Sequence, residues 1–432
     1  MENLCLGVAR EIITPEIGGR LYGYGPDVYS ESIADDLTVT AFYFKQGETK
    51  ALMLSATVCL IKTELSQNIL SLLEEKFNIP KQNCILSATH THSGPNMAGV
   101  EGWGDIDKKY CDEIFIPGVL SATEKAIKNA KAVKMGVAAG DSLVGVNRRE
   151  LNDKNSIVLG QNTWGSFNPE MTVISFTDLQ NKPIANIIHY GAHGTASGRN
   201  HEITRDWSGV MTDALEKHSG AVTAFFNGPE GDVGPRLSNG KTVGNLNYMR
   251  ELGELAAEDA TRIFDKMSGC NSVNISVSNK NLVIPLKERI SLEKAEKMLA
   301  EYKNQTENCG AMMKSHFEEV IESYKSGFVD KPSVEVEQTL IVLGDIVFAS
   351  FPYELFSEIG MRINGLVKTK TVLSLSNSNG SEGYYITRDV ACRGGYEVNM
   401  FLYSHIQQFD DDADFYIMKE SVNHIKNLIN EE

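Results

Sequence analysis

Ser87-Ala-Thr-His-Thr-His-Ser-Gly-Pro95 follows the short apolar run Asn83-Cys-Ile-Leu86. A segment of helical periodicity precedes that run, which therefore reads as a buried strand. Residues two apart on a strand share a face, so His90 and His92 are expected to aim into one space. Gly94-Pro95 then ends the strand and turns the chain. Two imidazoles at a strand end are a good start for a metal site, although a catalytic zinc takes three protein ligands and an open position. A hydrogen-bonded pair of histidines on a loop has the same spacing, so this stretch alone leaves both readings open.

On its N-terminal side, residues 4–14 read as a strand closed by Pro15, and the glycine-rich stretch Gly18–Pro26 as a loop near a site. That loop matches neither phosphate-binding glycine pattern. Leu37–Phe44 and Lys50–Val58 form a hairpin across Gln46-Gly47-Glu48. Thr63–Phe77 carries a helical apolar stripe. On its C-terminal side, Asp107–Ala132 is a long helix interrupted near Pro117, and Gly136–Ala139 a short element. Arg148 and Arg149 fall on a predicted loop, where their guanidinium groups could hold a substrate oxygen, but by themselves they read as surface arginines. Strands follow at 171–177 and 183–190. Beyond them, His189 and His193, four apart, are expected to share a face.

A helix begins at Asp206, and a strand at Ala221–Phe226 runs into the loop Asn227–Arg236. Residues 247–267 and 291–326 are helical. The second of these stretches breaks near Gly310, and its Lys and Glu content predicts a solvated outer helix pair. A hairpin over Gly344-Asp345 leads to Glu354 at a strand-to-helix junction, where a carboxylate also favours the helix N-terminus. Thr371–Asn377 is a strand that runs into Tyr384, and Tyr396 follows before a closing helix over 412–430.

The 432 residues suffice for one large domain or two. A formal net charge of −16 argues against a general binder of nucleic acid or anionic membrane. The N-terminus lacks the basic start and apolar core of a secretory signal, and no apolar run is long enough to span a bilayer. The expected location is the cytoplasm. Seven scattered cysteines without a Cys-x-x-Cys pair support neither a disulfide framework nor a thiolate zinc knuckle.

Taken together, these stretches resemble the catalytic domain of the neutral/alkaline ceramidases, zinc amidases that split an N-acyl bond. The resemblance runs from about Val8 to Tyr396. It is carried by Gly7-Val-Ala-Arg-Glu-Ile-Ile-Thr-Pro15 and, most specifically, by Ala88–Pro95. Ala192–Thr195, Gly231–Pro235, Pro352–Phe356 and Gly383–Thr387 follow in the family's order. It implies zinc ligands at His90, His193, Glu354 and Tyr384, and polar groups around the substrate amide at His92, Arg148 and Tyr396. It also implies one α/β catalytic domain over residues 1–432, with mixed or antiparallel sheets flanked by helices. The family's extra C-terminal immunoglobulin-like domain is not expected. In the Gly-Asp-Val-Ser-Pro motif of the family, the serine position is Gly234 here, which puts ceramide itself in question.

The reaction so implied is zinc-dependent hydrolysis of a linear, ceramide-like amide by a metal-bound hydroxide, with His92 delivering a proton to the leaving amine. The expected partner is a small-molecule amide or N-acyl substrate, with no nucleic acid. Two alternatives stand beside it. One is a zinc hydrolase of a small soluble amide, ester or lactone. The other is a non-catalytic relative that binds metal or ligand without turnover.

Overall fold

Thr38–Gln46 and Thr49–Ala56 are apolar at successive positions rather than alternate ones, as strands covered on both faces must be. The computed structural model, which describes residues 2–305 and 308–431, places them near one end of an eight-stranded sheet. Its order is Val222–Asn227, Pro183–Tyr190, Glu170–Asp178, Lys131–Asp141, Cys5–Ile12, Thr38–Gln46, Thr49–Ala56, Cys84–Ala88. The outermost pair at each end is parallel, and the inner pairs are antiparallel. The predicted hairpin turns on Gly47, whose φ of +57° is left-handed, with Gln46 opposite Thr49.

A second sheet, Ile275–Pro285, Ser333–Leu343, Ile346–Ser350 and Thr371–Leu375, is antiparallel except for its last pair. The two sheets face each other. Leu6, Phe42, Phe44, Phe176 and Phe226 of the first pack with Ile341, Phe348 and Leu375 of the second. Helices cover both outer faces. Thr63–Phe77, Ile116–Lys128, Asp206–Ser219 and Leu246–Phe264 lie on the first sheet. Ser357–Leu366 and Ala413–Ile429 lie on the second. The result is an α/β fold of four layers, and its mixed sheets flanked by helices are as predicted.

Several elements differ from the sequence reading. Gly145–Leu151, which carries Arg148 and Arg149, is a strand paired with Val233–Pro235 and Ile157–Asn162 rather than a loop. The short element at 136–139 is the middle of an 11-residue strand, Lys131–Asp141. Ile275–Pro285 was not anticipated, because its central Ser-Asn-Lys-Asn run reads as polar turn; its two ends meet the core, Ile275 between the sheets and Leu282 and Ile284 under the outer helices. The helix near Pro117 contains a wide π turn over Cys111–Phe115, as expected where proline supplies no N–H. Within 291–326 the helices are Leu292–Tyr302 and Asn308–Lys325, and Gly310 lies inside the second. Residues 306 and 307 of that stretch lie outside the described residues.

His189 points between the sheets, where its Nε2 donates to Ser374 O at 2.9 Å, so it does not share a face with His193. Burial pushes its imidazole down to about 4 from an ordinary 6.5. Between those pH values the unfolded chain binds a proton that the folded chain refuses. The stability from the neutral ring is complete above pH 6.5 and is lost as pH falls toward 4. Denaturant titrations over that range should show a shallower pH slope for His189→Asn than for wild type, by at most about 1.4 kcal/mol per pH unit. Equal slopes would mean that His189 titrates alike in both states.

Candidate metal centre

The strand Cys84–Ala88 ends two residues before His90, and His90 has a φ of +67°. His90 and His92 therefore converge through a left-handed turn rather than by strand alternation. A non-glycine residue in that conformation costs on the order of 1 kcal/mol. It is held by His90 N donating to Val58 O at 2.9 Å and His92 N donating to Gly194 O at 3.0 Å. The result is a separation of 3.3 Å between His90 Nε2 and His92 Nε2.

His193 follows the strand Pro183–Tyr190, and Trp207 Nε1 holds its carbonyl at 2.9 Å. Glu354 and Tyr384 are direct neighbours on two short parallel strands, Glu354–Leu355 and Tyr384–Tyr385. The four candidate ligands thus come from the ends of both sheets. Glu354 Oε2 lies 3.4 Å from His90 Nε2 and 3.0 Å from His193 Nε2. The Tyr384 hydroxyl lies 3.4 Å from His193 Nε2. Bonds of about 2.0–2.1 Å to a tetrahedral zinc imply donors about 3.4 Å apart, and these separations fit.

The opposite ring nitrogens support the same reading. His90 Nδ1 faces Cys59 O at 2.9 Å. His193 Nδ1 faces Glu230 O at 2.9 Å and Val233 O at 3.1 Å. Carbonyls only accept, so each Nδ1 carries the proton and each Nε2 turns a lone pair toward Glu354. A carboxylate oxygen facing two lone pairs requires a proton or a cation among them. Burial alone would raise the Glu354 carboxyl, but His90 and His193 hold it well below the ordinary carboxylate range. Burial and the nearby Arg148 push His193 down to about 3. His92 is also driven well down, first by burial and then by the other two imidazoles. His90, His193 and Glu354 form one group able to hold a metal, and Cys59, His90 and His92 form a second that shares His90.

Arg148 is buried behind the ligands. Its Nη2 donates to the Tyr384 hydroxyl at 2.9 Å and its Nε to Glu397 Oε1 at 2.8 Å. Arg149 Nη1 donates to the other oxygen of Glu397 at 2.5 Å. Tyr396 opens the helix Tyr396–Leu402 and meets the Tyr384 ring edge-on at 5.6 Å. Gly234 pairs with Val146 on the strand that carries Arg148. A Cβ there would come within 2.7 Å of the Thr242 side chain and 3.3 Å of Arg148 Cβ.

A cavity of about 340 Å³ opens from the centre. His90, His92, Glu354, Tyr384 and Tyr396 line its floor, whereas Arg148 and Gly234 do not reach it. Tyr22 and Gly23 of the glycine-rich loop form one wall. Gly23 has a φ of +126°, and any Cβ on it would strike the His92 ring. The helix Asn308–Lys325 forms the opposite wall through Met312, Ser315, His316 and Glu319. This corrects the expectation of a solvated outer helix pair.

Sequence reasoning missed Cys59, Glu230 and Glu397. Glu230 is fully buried beside the ligands, its Oε1 accepting from Asn377 Nδ2 at 2.7 Å, and burial pushes it up to about 8. Glu397 directly follows Tyr396 in the sequence, and no local pattern separates it from a surface glutamate. Truncating it leaves two buried guanidinium groups unpaired. Glu397→Ala should lower unfolding stability by about 3–5 kcal/mol, with a smaller loss for Glu397→Gln. A denaturation midpoint in Glu397→Ala equal to wild type would contradict the buried pairing.

Comparison with known proteins places this geometry in a family. The model for the neutral/alkaline non-lysosomal ceramidase N-terminal region matches residues 5–252. Neutral ceramidase A of Dictyostelium discoideum is 28% identical over 218 residues, covering 45% of this chain and 30% of that protein. Neutral ceramidase of Pseudomonas aeruginosa is 26% identical over 190 residues, covering 40% and 28%. The matched stretch thus spans under a third of each relative. The crystal structure of the Pseudomonas aeruginosa enzyme superimposes with a TM-score of 0.75 at 18% identity, covering 99% of this chain and 75% of that one. A structure described as ceramidase complexed with C2 gives 0.76 at 16% identity, covering 100% and 76%. Those two likenesses show the fold. The sequence match extends over more than half of the 432 residues, and the chain belongs to the neutral/alkaline non-lysosomal ceramidase family.

Proposed function

We propose that this protein is a zinc-dependent amidohydrolase acting on a small-molecule N-acyl substrate. The observation that carries the reading is the Glu354 carboxylate, buried between the Nε2 lone pairs of His90 and His193 at the floor of a cavity. Family membership supports amide-bond hydrolysis, as the relatives' names do for those proteins. His90, His193, Glu354 and Tyr384 would hold the ion. When bound, zinc supplies Lewis acidity and a nucleophile at neutral pH.

The chain's own residues supply the rest. His92 is neutral, faces the cavity and lies 3.3 Å from His90 Nε2, so it can take a proton from the attacking water and return it to the leaving amine. Tyr396, on the cavity floor, is placed to donate to the carbonyl oxygen as charge develops there. Arg148 does not line the cavity, so we assign it a positioning role: it fixes the Tyr384 hydroxyl and lends positive charge from behind. No step requires the family serine. At Gly234 that side chain would sit beside Arg148 and against Thr242 rather than in the cavity wall.

A small soluble substrate is favoured over ceramide. The cavity lies at the small end of ligand pockets, which run from about 300 to 1,000 Å³, and ionisable groups line its mouth. No helix among the described residues is long and apolar enough to cross a membrane.

The test is metal content by mass spectrometry beside hydrolysis of an amide panel. Wild type should carry about one zinc per chain, and both His90→Ala and Glu354→Ala should lose it together with activity, with 10–100-fold losses typical even for outer-shell changes. Chelation should abolish turnover, and zinc should restore it. Wild type that stays metal-free after zinc addition and dialysis would end the hydrolytic reading. Bound zinc with no turnover across the panel would favour a non-catalytic binding relative.

A further inference from the structure

The outer half of the cavity has a chemistry that the metal centre does not explain. His316, on the inner face of the helix Asn308–Lys325, is 5% exposed and lines the cavity. Its ring meets Phe317 and Tyr403, and neither ring nitrogen is hydrogen-bonded to another described residue. Burial, then the nearby His405, pushes it down to about 4, so at neutral pH it offers a lone pair. A buried imidazole without a partner facing an open cavity marks a place for a ligand group.

Three carboxylates line the same cavity: Glu101 and Glu319, both exposed, and Glu382, half-buried. One oxygen of Glu382 accepts from the Thr63 hydroxyl and the other is free to accept. Carboxylates and a neutral imidazole nitrogen are acceptors, so they call for donors. Lys62 opposes them, and the balance of these four charged groups is negative. The rings of Tyr22 and Trp103, 6.1 Å apart, add faces that attract cations. A second alkyl chain would leave all of these groups desolvated and unpaired.

We propose that the outer half of the cavity is a subsite for a protonated amine. The substrate is then a short N-acyl compound whose amine half carries a second, positively charged nitrogen. This rests on the amidohydrolase reading for its chemistry, but the subsite can be measured without turnover.

The experiment compares N-acetyl-1,4-diaminobutane with its near-isosteric neutral counterpart N-pentylacetamide and the anionic N-acetyl-4-aminobutanoate. Zinc-loaded wild type, E319Q and the E319Q/E382Q double variant are assayed on all three. Calorimetry follows binding of 1,4-diaminobutane itself, with and without zinc. We expect wild type to favour the cationic amide over the neutral one by at least about tenfold in kcat/KM, a preference that added salt reduces. E319Q should shrink that preference and the double variant should shrink it further, with diamine binding weakening in step.

Equal kcat/KM for the cationic and neutral amides, or preference for the anionic one through Lys62, overturns the inference. So does wild type that binds no diamine. Diamine binding that weakens in the variants while no amide is hydrolysed would support the subsite and count against the amidohydrolase reading instead.

Discussion

The centre depends on one electrostatic demand. Glu354 Oε2 lies 3.0 and 3.4 Å from two imidazole nitrogens whose protons are committed to backbone carbonyls on the far side of each ring. Three lone-pair-bearing atoms cannot be held this close in a dry site without positive charge among them. A proton on His90 meets the demand without a metal, and the raised affinity of that ring, with Cys59 and Glu354 overcoming its burial, reflects it. A divalent cation meets it with all donors at once, Tyr384 included. The backbone carbonyls therefore matter as much as the ligands, because they decide which ring nitrogens are free.

The frame exists to bring those groups together from remote parts of the chain. His90 and His193 leave the ends of two strands of the larger sheet, whereas Glu354 and Tyr384 follow strands of the smaller one. The aromatic and aliphatic core between the sheets fixes their separation. Polar crosslinks do so at the site itself. Asn227 Nδ2 donates to Thr89 O at 3.2 Å, Ser376 N donates to Asn227 O at 3.2 Å, and Asn379 Nδ2 donates to Cys84 O at 2.8 Å. Asp206, at a φ of +59°, receives the amides of Ala196 and Ser197 and so ties the chain after His193 to its helix.

How much of this was legible followed the range of each interaction. Thr63–Phe77 and the two hairpins were readable because their periodicity and turn residues are local. His90, His193, Glu354 and Tyr384 could be named from family motifs, and they do come together. The reason offered for His90 and His92 was mistaken, since alternation stops at Ala88 and a left-handed residue does the aiming. Arg148 and Arg149 looked like surface arginines because their partner, Glu397, lies almost 250 residues away and has no local signature. Helix Asn308–Lys325 looked solvated from composition. Its buried Met313, His316 and Phe317 are a minority of its residues, and only the fold shows what they cover.

The Arg148–Glu397–Arg149 cluster bears on why a buried ionic group persists here at all. Such clusters often contribute little net stability compared with apolar packing of the same volume. This one does something that packing cannot. Glu397 follows Tyr396 directly, so clamping its two oxygens fixes the start of a cavity-lining helix against the strand Gly145–Leu151. Arg148, oriented by the same carboxylate, also donates from Nη2 to the Tyr384 hydroxyl. That bond offsets the burial that drives the phenol well above its ordinary range, because a guanidinium favours charge on the oxygen. A phenol is the weakest candidate among the four ligands. It is also the one whose oxygen is given a dedicated cation, so the cluster is best understood as tuning that oxygen while it places Tyr396.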